Sequence, residues 1–557
     1  MGHHGPAGHR KSVRPGSSRR GLSGRPGRRC AASGHGIRPR SVHHVRATGR
    51  ARCRCGVGPR ALPPDRRAQP GSHPIMTPLA ETSCDVLVCG AGLTGCAVAK
   101  ALSDADPQRR RRIVVVDKHR GPSSRFSGEF IHPRGTQVLD DLGFFEALTG
   151  AGAVEVDGFV AFEEFDGARV DLPYADVPYP RKRGLSVHHK VLVAQMRRMI
   201  ECIPQVQLRE QTSLVSLERD ETGRFVAAVV EGPEGRERIR FGTLVGADGK
   251  GSTTRKLAGL PDTRETIGFT AGIELHDAPL PAPTCAHVFL GAWGPILAYP
   301  ILRRPDGTVV SRMTFDLPRE LPVKGKALAG YLREAFVPHL PEALARHVLE
   351  ALRGGTRIEI AATVNLPAPR ATFRGLVLAG DAAGCSHPIT ASGMTMGLRD
   401  AELIGREAAR RSDAPANVPW LDDDALAAYR AEHDRYVPTR QALADAIYEA
   451  FRGETEGARG IRRALFAYWQ SNPEARRRSM ALLSCVERRP HVFLTEYLKT
   501  ARYAVQSGLR PRHARRAPVE DRVGRLLGAA GLARDKFGLV ARVMWAQVRP
   551  SFLARVA

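Results

Sequence analysis

Three aspartates stand where a short apolar run gives way to glycine and other small residues. They are Asp117 after "IVVV", Asp248 in "TLVGADGKGSTTRK" and Asp381 in "LVLAGDAAGCSHPITASGMTMGLRDAEL". An acid so placed can accept ligand hydroxyls, and small neighbours let a ligand reach the backbone. Upstream, Gly90, Gly92 and Gly95 in "CDVLVCGAGLTGCAVAKAL" have GxGxxG spacing. Gly90 permits a tight turn, Gly92 lets a pyrophosphate approach the main chain, and Gly95 lets helix and strand pack closely. The pyrophosphate would rest on a helix N-terminus, where free N–H groups and the dipole favour an anion. Asp117 follows Gly95 by 22 residues, about where a ribose-binding carboxylate belongs.

These residues need strands to carry them. Residues 86–88 and 113–116 read as buried strands, with a helix over 97–102 between them. Residues 244–245 and 376–378 read as two more strands, ending before Asp248 and before Gly380-Asp381, and a helix opens near Gly393-Met394. The alternation predicts an α/β chain with a Rossmann-like nucleotide domain. A nicotinamide domain has no need of an acid and a helix N-terminus so far along the chain. A flavin does: Asp381 suits its ribityl hydroxyls, and the helix end suits the charge on its reduced ring. FAD is therefore the expected cofactor.

The chain has 557 residues, enough for two or three structural units, and a formal net charge of +27. Residues 1–75 hold 17 Lys and Arg against one acid, Asp65, so 16 of the +27 lie there and +11 remains for the rest. That segment lacks apolar periodicity and is expected to be disordered. Met76 reads as the biological start. A tail that binds nucleic acid or a membrane is a rival that arginine content alone supports weakly. The ten cysteines show no CxxC spacing, which implies no metal or disulfide framework and fits a reducing cytosol. No run reaches the ~18 apolar residues of a spanning helix.

GxGxxG, then DG, then GD, in this order, resembles the flavoprotein monooxygenases of the aromatic-hydroxylase superfamily. A closer resemblance is to squalene epoxidase, through "SGEFIHPRGTQVLDDLGF", "VDLPYADVPYP", "LVGADGKGSTTRK", "GPILAYPI" and the GD segment, and weakly through "MALLSCVERRPHVFLTEYLKTARYAV". Carried over residue by residue, it implies flavin contacts at Asp117, Lys118, Arg125, Phe130, Val215, Asp381 and Met394. Two positions depart from the pattern. An arginine expected near "SVHHKVLV" is replaced by Lys190 or Val191, and a substrate-side tyrosine appears as Phe159. The lost hydroxyl puts squalene itself in doubt as substrate. Trp293 and Tyr299, with Phe159, are expected apolar walls of a substrate pocket or plain sheet core. His132 and His387 are candidate catalytic residues, each with a structural role as the alternative. His188-His189 read as sheet-edge residues, not a metal pair, and no metal is expected.

The resemblance implies that reduced FAD and O₂ give a flavin hydroperoxide, whose distal oxygen passes to an electron-rich double bond or aromatic carbon of an isoprenoid or prenylated aromatic. Electrons would come from NADPH or NADH, directly or through a partner reductase. The expected organisation is a disordered tail at 1–75, an FAD-binding domain in three parts (76–150, 186–262, 366–415), an interleaved strand-rich substrate domain in two (151–185, 263–365), and a helical C-terminal region at 416–557. Helices near 491–505 and 537–556 alternate apolar and basic residues, which suits either packing on the body or a membrane surface. The expected location is cytoplasmic, with peripheral membrane contact through these helices as an option. The body is expected to take an apolar small molecule and no nucleic acid. An isoprenoid double-bond reductase on the same flavin fold and a nucleic-acid-binding protein acting through the tail are the rival functions.

Overall fold

The structure is a computed structural model that describes residues 79–509, apart from 124, 164–168, 292, 369 and 416–417. The basic tail at 1–75 and the apolar face expected at 537–556 lie outside the described residues.

The first sheet is built on parallel strands in the order Leu376–Leu378, Gly235–Gly246, Ala80–Cys89, Ile113–Val116, Val206–Arg209. Their central residues are buried on both faces, as in a sheet covered by helices on both sides. Register decides what this sheet can do. Cys89 lies opposite both Gly246 and Val116, and Gly246 lies opposite Leu378. The four strands thus end in one row, and the chain leaves the sheet at Gly90, Asp117, Ala247 and Ala379 along the same edge.

Strand Ala80–Cys89 is longer than the apolar run at 86–88. Its first residues are polar and exposed, yet they pair in register with Glu237 to Phe241. Cross-strand ion pairs accompany them: Arg238 reaches Glu81 and, two strands away on the other side, Glu218. Strands Ser213–Arg219 and Phe225–Gly232 extend this edge as an antiparallel meander.

Two helices cover the row of strand ends. Leu93–Asp104 follows the glycine turn, and Gly393–Ala409 follows the GD segment. They cross closely because glycines face the contact. A Cβ on Gly397 would lie 2.2 Å from Thr94 Oγ1, and one on Gly405 would lie 2.8 Å from Ala101 Cβ.

The second sheet has seven strands in the order Glu359–Asn365, Glu265–His276, Val309–Leu317, Ile296–Arg303, Ala286–Leu290, Gly158–Glu163, Arg169–Pro173. It is antiparallel except where Gly158–Glu163 runs beside Ala286–Leu290. A small third sheet joins Phe130–Ile131, Gly184–Ser186 and Val154–Val156. Beyond residue 420 the described chain is helical. Asp423–Arg452 begins on the cap of Asp422, whose carboxylate accepts the Ala425 N–H at 2.8 Å, and stops at Gly453 in the left-handed conformation. Three shorter helices follow: Glu456–Ser471, Pro473–Leu483 and Pro490–Leu509. In the last, Phe493 is buried, and Tyr497 and Tyr503 pack against the same apolar cluster, so this aromatic stripe faces the protein body. Among the described residues no helix is long and apolar enough to cross a membrane.

Candidate active site

A cavity of about 760 Å³ opens along the row of strand ends and continues over one face of the second sheet. That is the size of a pocket for a cofactor-sized ligand. Gly90, Gly92, Asp117, Lys118, Arg125, Phe130, Phe159, Tyr299, Asp381, His387 and Met394 all line it.

Each glycine of the turn has a separate physical reason. Gly90 sits at φ +102°, and a Cβ there would meet Ala247 O at 2.5 Å. A Cβ on Gly95 would lie 1.7 Å from Gly90 O, so helix and strand can touch only without one. Gly95 is thus a packing residue behind the cavity wall. Gly92 is the opposite case: a Cβ there would meet no protein atom within 4 Å and would take up ligand space. Gly92→Ala is therefore expected to fold with unchanged apo-protein stability and to lose most of its flavin. Flavin absorbance after gel filtration, read beside the melting temperature, checks this; a yellow variant at full occupancy would refute the placement of the pyrophosphate.

Asp117 is held from several sides. Its Oδ2 accepts the Ala91 N–H at 2.8 Å and pairs with Arg197 Nη2 at 3.1 Å, while Oδ1 accepts the His119 N–H at 2.8 Å. A carboxylate has about four acceptor positions, so capacity remains for a ribose hydroxyl. Arg197 also donates to Ala91 O at 2.8 Å and to Glu210 at 2.7 Å, tying the glycine turn to helix His189–Glu201. Sequence inspection missed this arginine. The available signal was a cation on the helix's apolar stripe, beside Val193, Met196 and Ile200.

Asp381 also faces the cavity. It is half-buried because its carboxyl faces the cavity, while protein on the other sides shuts out bulk water. That burial pushes its pKa above the ordinary carboxylate range, against the charge of Lys250. Among the described residues no hydrogen bond reaches its side-chain oxygens, and the start of helix Gly393–Ala409 is adjacent: a Cβ on Gly393 would lie 3.7 Å from Oδ1. Asp400, about two turns into that helix on its buried face, accepts the Gly380 N–H at 2.7 Å and the Tyr436 hydroxyl, which clamps the GD turn. An open acceptor beside a helix N-terminus, joined to a glycine cradle with vacant space over Gly92, fits FAD.

Met394 packs toward the loop before Phe130: a Cβ on Gly128 would lie 3.6 Å from its Cε. The same loop is anchored from the second sheet. Arg312 forms a two-pronged, fully buried pair with Glu129 (2.7 and 2.8 Å) and also reaches Glu274 and Glu359. Neither Arg312 nor Glu129 stood out in the sequence.

Other expected residues fall elsewhere. Val215 is off the cavity wall; the preceding Thr212, Ser213 and Leu214, where the chain enters strand Ser213–Arg219, supply that part of it. Trp293 is also off the wall. Its ring stacks on His339 with centroids 3.7 Å apart, because the turn after Leu290 carries it onto the outer helices Ala327–Ala335 and Glu342–Arg353. His188 and His189 open a helix rather than edge a sheet, and among the described residues no cluster could hold a metal ion.

His132 is not placed to act on a ligand. It is fully buried, absent from the cavity wall, and bonded at both ring nitrogens, to Tyr174 Oη at 2.6 Å and Thr390 O at 2.7 Å. A carbonyl can only accept, so Nε2 carries the proton and Nδ1 accepts from the tyrosine. Burial depresses its pKa to about 4, so the ring is neutral at physiological pH. It supports an aromatic wall in which Phe130 lies 5.1 Å from Phe159 and 5.9 Å from Tyr299, ring to ring. The Phe159 ring has a neighbour in Tyr174, centroids 6.1 Å apart, but the Tyr174 hydroxyl is committed to His132.

Fold and site together define an FAD-dependent monooxygenase with a Rossmann-like core. Solved structures with this fold include p-nitrophenol 4-monooxygenase from Pseudomonas putida (TM-score 0.58, 18% identity, covering 73% of this chain and 98% of that one). A probable FAD-dependent monooxygenase from Pseudomonas aeruginosa is another (TM-score 0.54, 21% identity, 72% and 99%). Residues 243–520 match the squalene epoxidase family model. Similar proteins include a squalene epoxidase from Aspergillus fumigatus, 29% identical over 70% of this chain and 80% of its own length. The squalene monooxygenase of Mus musculus is 27% identical over 76% and 72%. The chain is an FAD-dependent monooxygenase, and it is similar to the squalene epoxidases.

Proposed function

We propose that the protein places one oxygen atom from O₂ into an isoprenoid or prenylated aromatic, by epoxidation or hydroxylation. The observation that carries this reading is one cavity whose wall includes both the dinucleotide cradle and the aromatic face of the second sheet. FAD, when bound and reduced, supplies the activation of O₂. The protein's own groups bind, orient and exclude water. Asp117 would accept a ribose hydroxyl and Asp381 a ribityl hydroxyl. The N-terminus of Gly393–Ala409 would favour negative charge on the reduced cofactor. Phe130, Phe159 and Tyr299 hold a hydrocarbon chain and keep water from the reacting carbon. His132, locked neutral, keeps that wall rigid.

Electrons come from NADPH or NADH, directly or through a partner reductase. Peripheral membrane contact would let an apolar substrate enter from the bilayer. Because the stripe around Phe493 faces inward, that contact is assigned to the alternating apolar and basic sequence at 537–556, outside the described residues. Incubation of the holoprotein with reductant, substrate and ¹⁸O₂ is expected to add one labelled atom to the product, with none from labelled water. Label from water would overturn the oxygenase reading. A reduced product without added oxygen would favour a double-bond reductase.

A further inference from the structure

One wall of the cavity carries a polar pair that the flavin reading does not use. Strand Val309–Leu317 turns Arg312, Thr314 and Asp316 to one face, since alternate residues share a side. Register puts Thr314 opposite Leu297 and Arg312 opposite Tyr299 on the next strand, so Asp316 extends the same face that holds the substrate wall. Across from it, the loop after the GD turn delivers His387. Both side chains are more than nine-tenths buried, and both residues line the cavity.

The facing atoms are unsatisfied. His387 Nε2 and Asp316 Oδ1 stand 3.6 Å apart, just beyond hydrogen-bond reach, and neither has a hydrogen-bond partner. Their other atoms are in use. His387 Nδ1 accepts the Ile389 N–H at 3.0 Å, and its ring stacks on Tyr448 with centroids 3.7 Å apart. Asp316 Oδ2 faces Arg452, whose guanidinium also holds the Tyr448 hydroxyl. A backbone N–H can only donate, so Nδ1 is the lone-pair nitrogen and the free Nε2 bears the proton. The cavity wall therefore holds an N–H donor beside a carboxylate acceptor, both unpaired. Neither facing atom is exposed in this structure, so a small displacement of either side chain would admit a hydroxyl oxygen about 2.8 Å from both, accepting from His387 and donating to Asp316.

We propose that Asp316 and His387 form a hydroxyl-binding pair, and that the substrate is an isoprenoid or prenylated aromatic bearing a free alcohol or phenol. This rests on the oxygenase reading of the cavity. A pure hydrocarbon that filled this wall would leave both buried groups unpaired, whereas a hydroxyl would satisfy them, which selects against squalene. The site built for a hydroxyl rejects a ligand that lacks one more strongly than an apolar pocket rejects an added one.

The test is binding, separate from turnover. The oxidised holoprotein is titrated by calorimetry with a geranyl-substituted phenol and with its O-methyl ether, which keeps shape and apolar area but cannot donate. The phenol is expected to bind about tenfold tighter or more, and Asp316→Asn to bring the two within about threefold. His387→Leu should do the same, while His387→Gln, which keeps an N–H near the Nε2 position, should retain most of the preference. The histidine variants decide the matter if Asp316→Asn fails to hold flavin. Equal affinities in the wild type, as for a pair occupied by a tightly held water, would overturn the proposal. So would a preference that survives both Asp316→Asn and His387→Leu, or no binding of either ligand. A phenol preference in a protein that transfers no ¹⁸O would sink the oxygenase reading and leave the pair standing.

Discussion

Gly95→Ala is expected to yield a protein that holds no flavin and is less stable by about 3 kcal/mol or more. The new Cβ would lie 1.7 Å from Gly90 O and 2.9 Å from Gly90 C. Both are backbone atoms of the turn, so no rotamer change relieves the contact. Either helix Leu93–Asp104 lifts from strand Ala80–Cys89 or the turn opens, and both outcomes dismantle the pyrophosphate cradle. Gly92→Ala serves as the contrast, since it blocks ligand space without a protein clash. Chemical denaturation of the apo forms separates the two: a large midpoint shift for Gly95→Ala and none for Gly92→Ala. A Gly95→Ala protein that retains wild-type flavin would show that the turn and helix adapt, against the close-packing account.

The second large effect is expected at Arg312, at 1% exposure one of the most deeply buried cations described. Arg312→Ala leaves Glu129, itself 2% exposed, as an uncompensated buried carboxylate, and breaking such a pair typically costs about 3–5 kcal/mol. Glu129 follows the loop of Phe126 to Gly128 that lines the cavity, and the guanidinium lies 5.0 Å over the Phe126 ring, so flavin affinity should fall with stability. Arg312→Lys should recover only part, because an ammonium cannot match both carboxylate oxygens. Adding Glu129→Gln to Arg312→Ala should restore much of the loss by removing the stranded charge. Urea melts with and without saturating FAD measure this. A double variant no more stable than Arg312→Ala would mean that packing, not charge, sets the cost.

The features legible in advance share one property: their reasons are local. Gly90, Gly92 and Gly95 act within six residues of chain, so spacing alone assigns each a role that the backbone geometry then makes specific. Strand Leu376–Leu378 and the helix opening at Gly393 follow from an apolar run and a glycine-rich break. Strand lengths were less legible. The polar start of Ala80–Cys89 and the charged "GRERIR" start of Gly235–Gly246 carry no strand pattern, because their partners are each other and the cross-strand acids Glu81 and Glu218.

The sequence by itself determined an α/β flavin fold, the glycine turn, and the acids Asp117 and Asp381 at the strand ends that line the cavity. Backbone sterics and periodicity act over a few residues and need no knowledge of distant chain. Only the tertiary structure decided which side chains face one another across the cavity. It withdrew Trp293 to the outer helices, sealed His132 between Tyr174 and Thr390, and brought Arg197 to Asp117 and Arg312 to Glu129. It also set His387 against Asp316 with both facing atoms unpaired. Each of these depends on strand register and helix crossing between segments tens to more than two hundred and fifty residues apart, where a charge or a ring has no meaning until its neighbour is known.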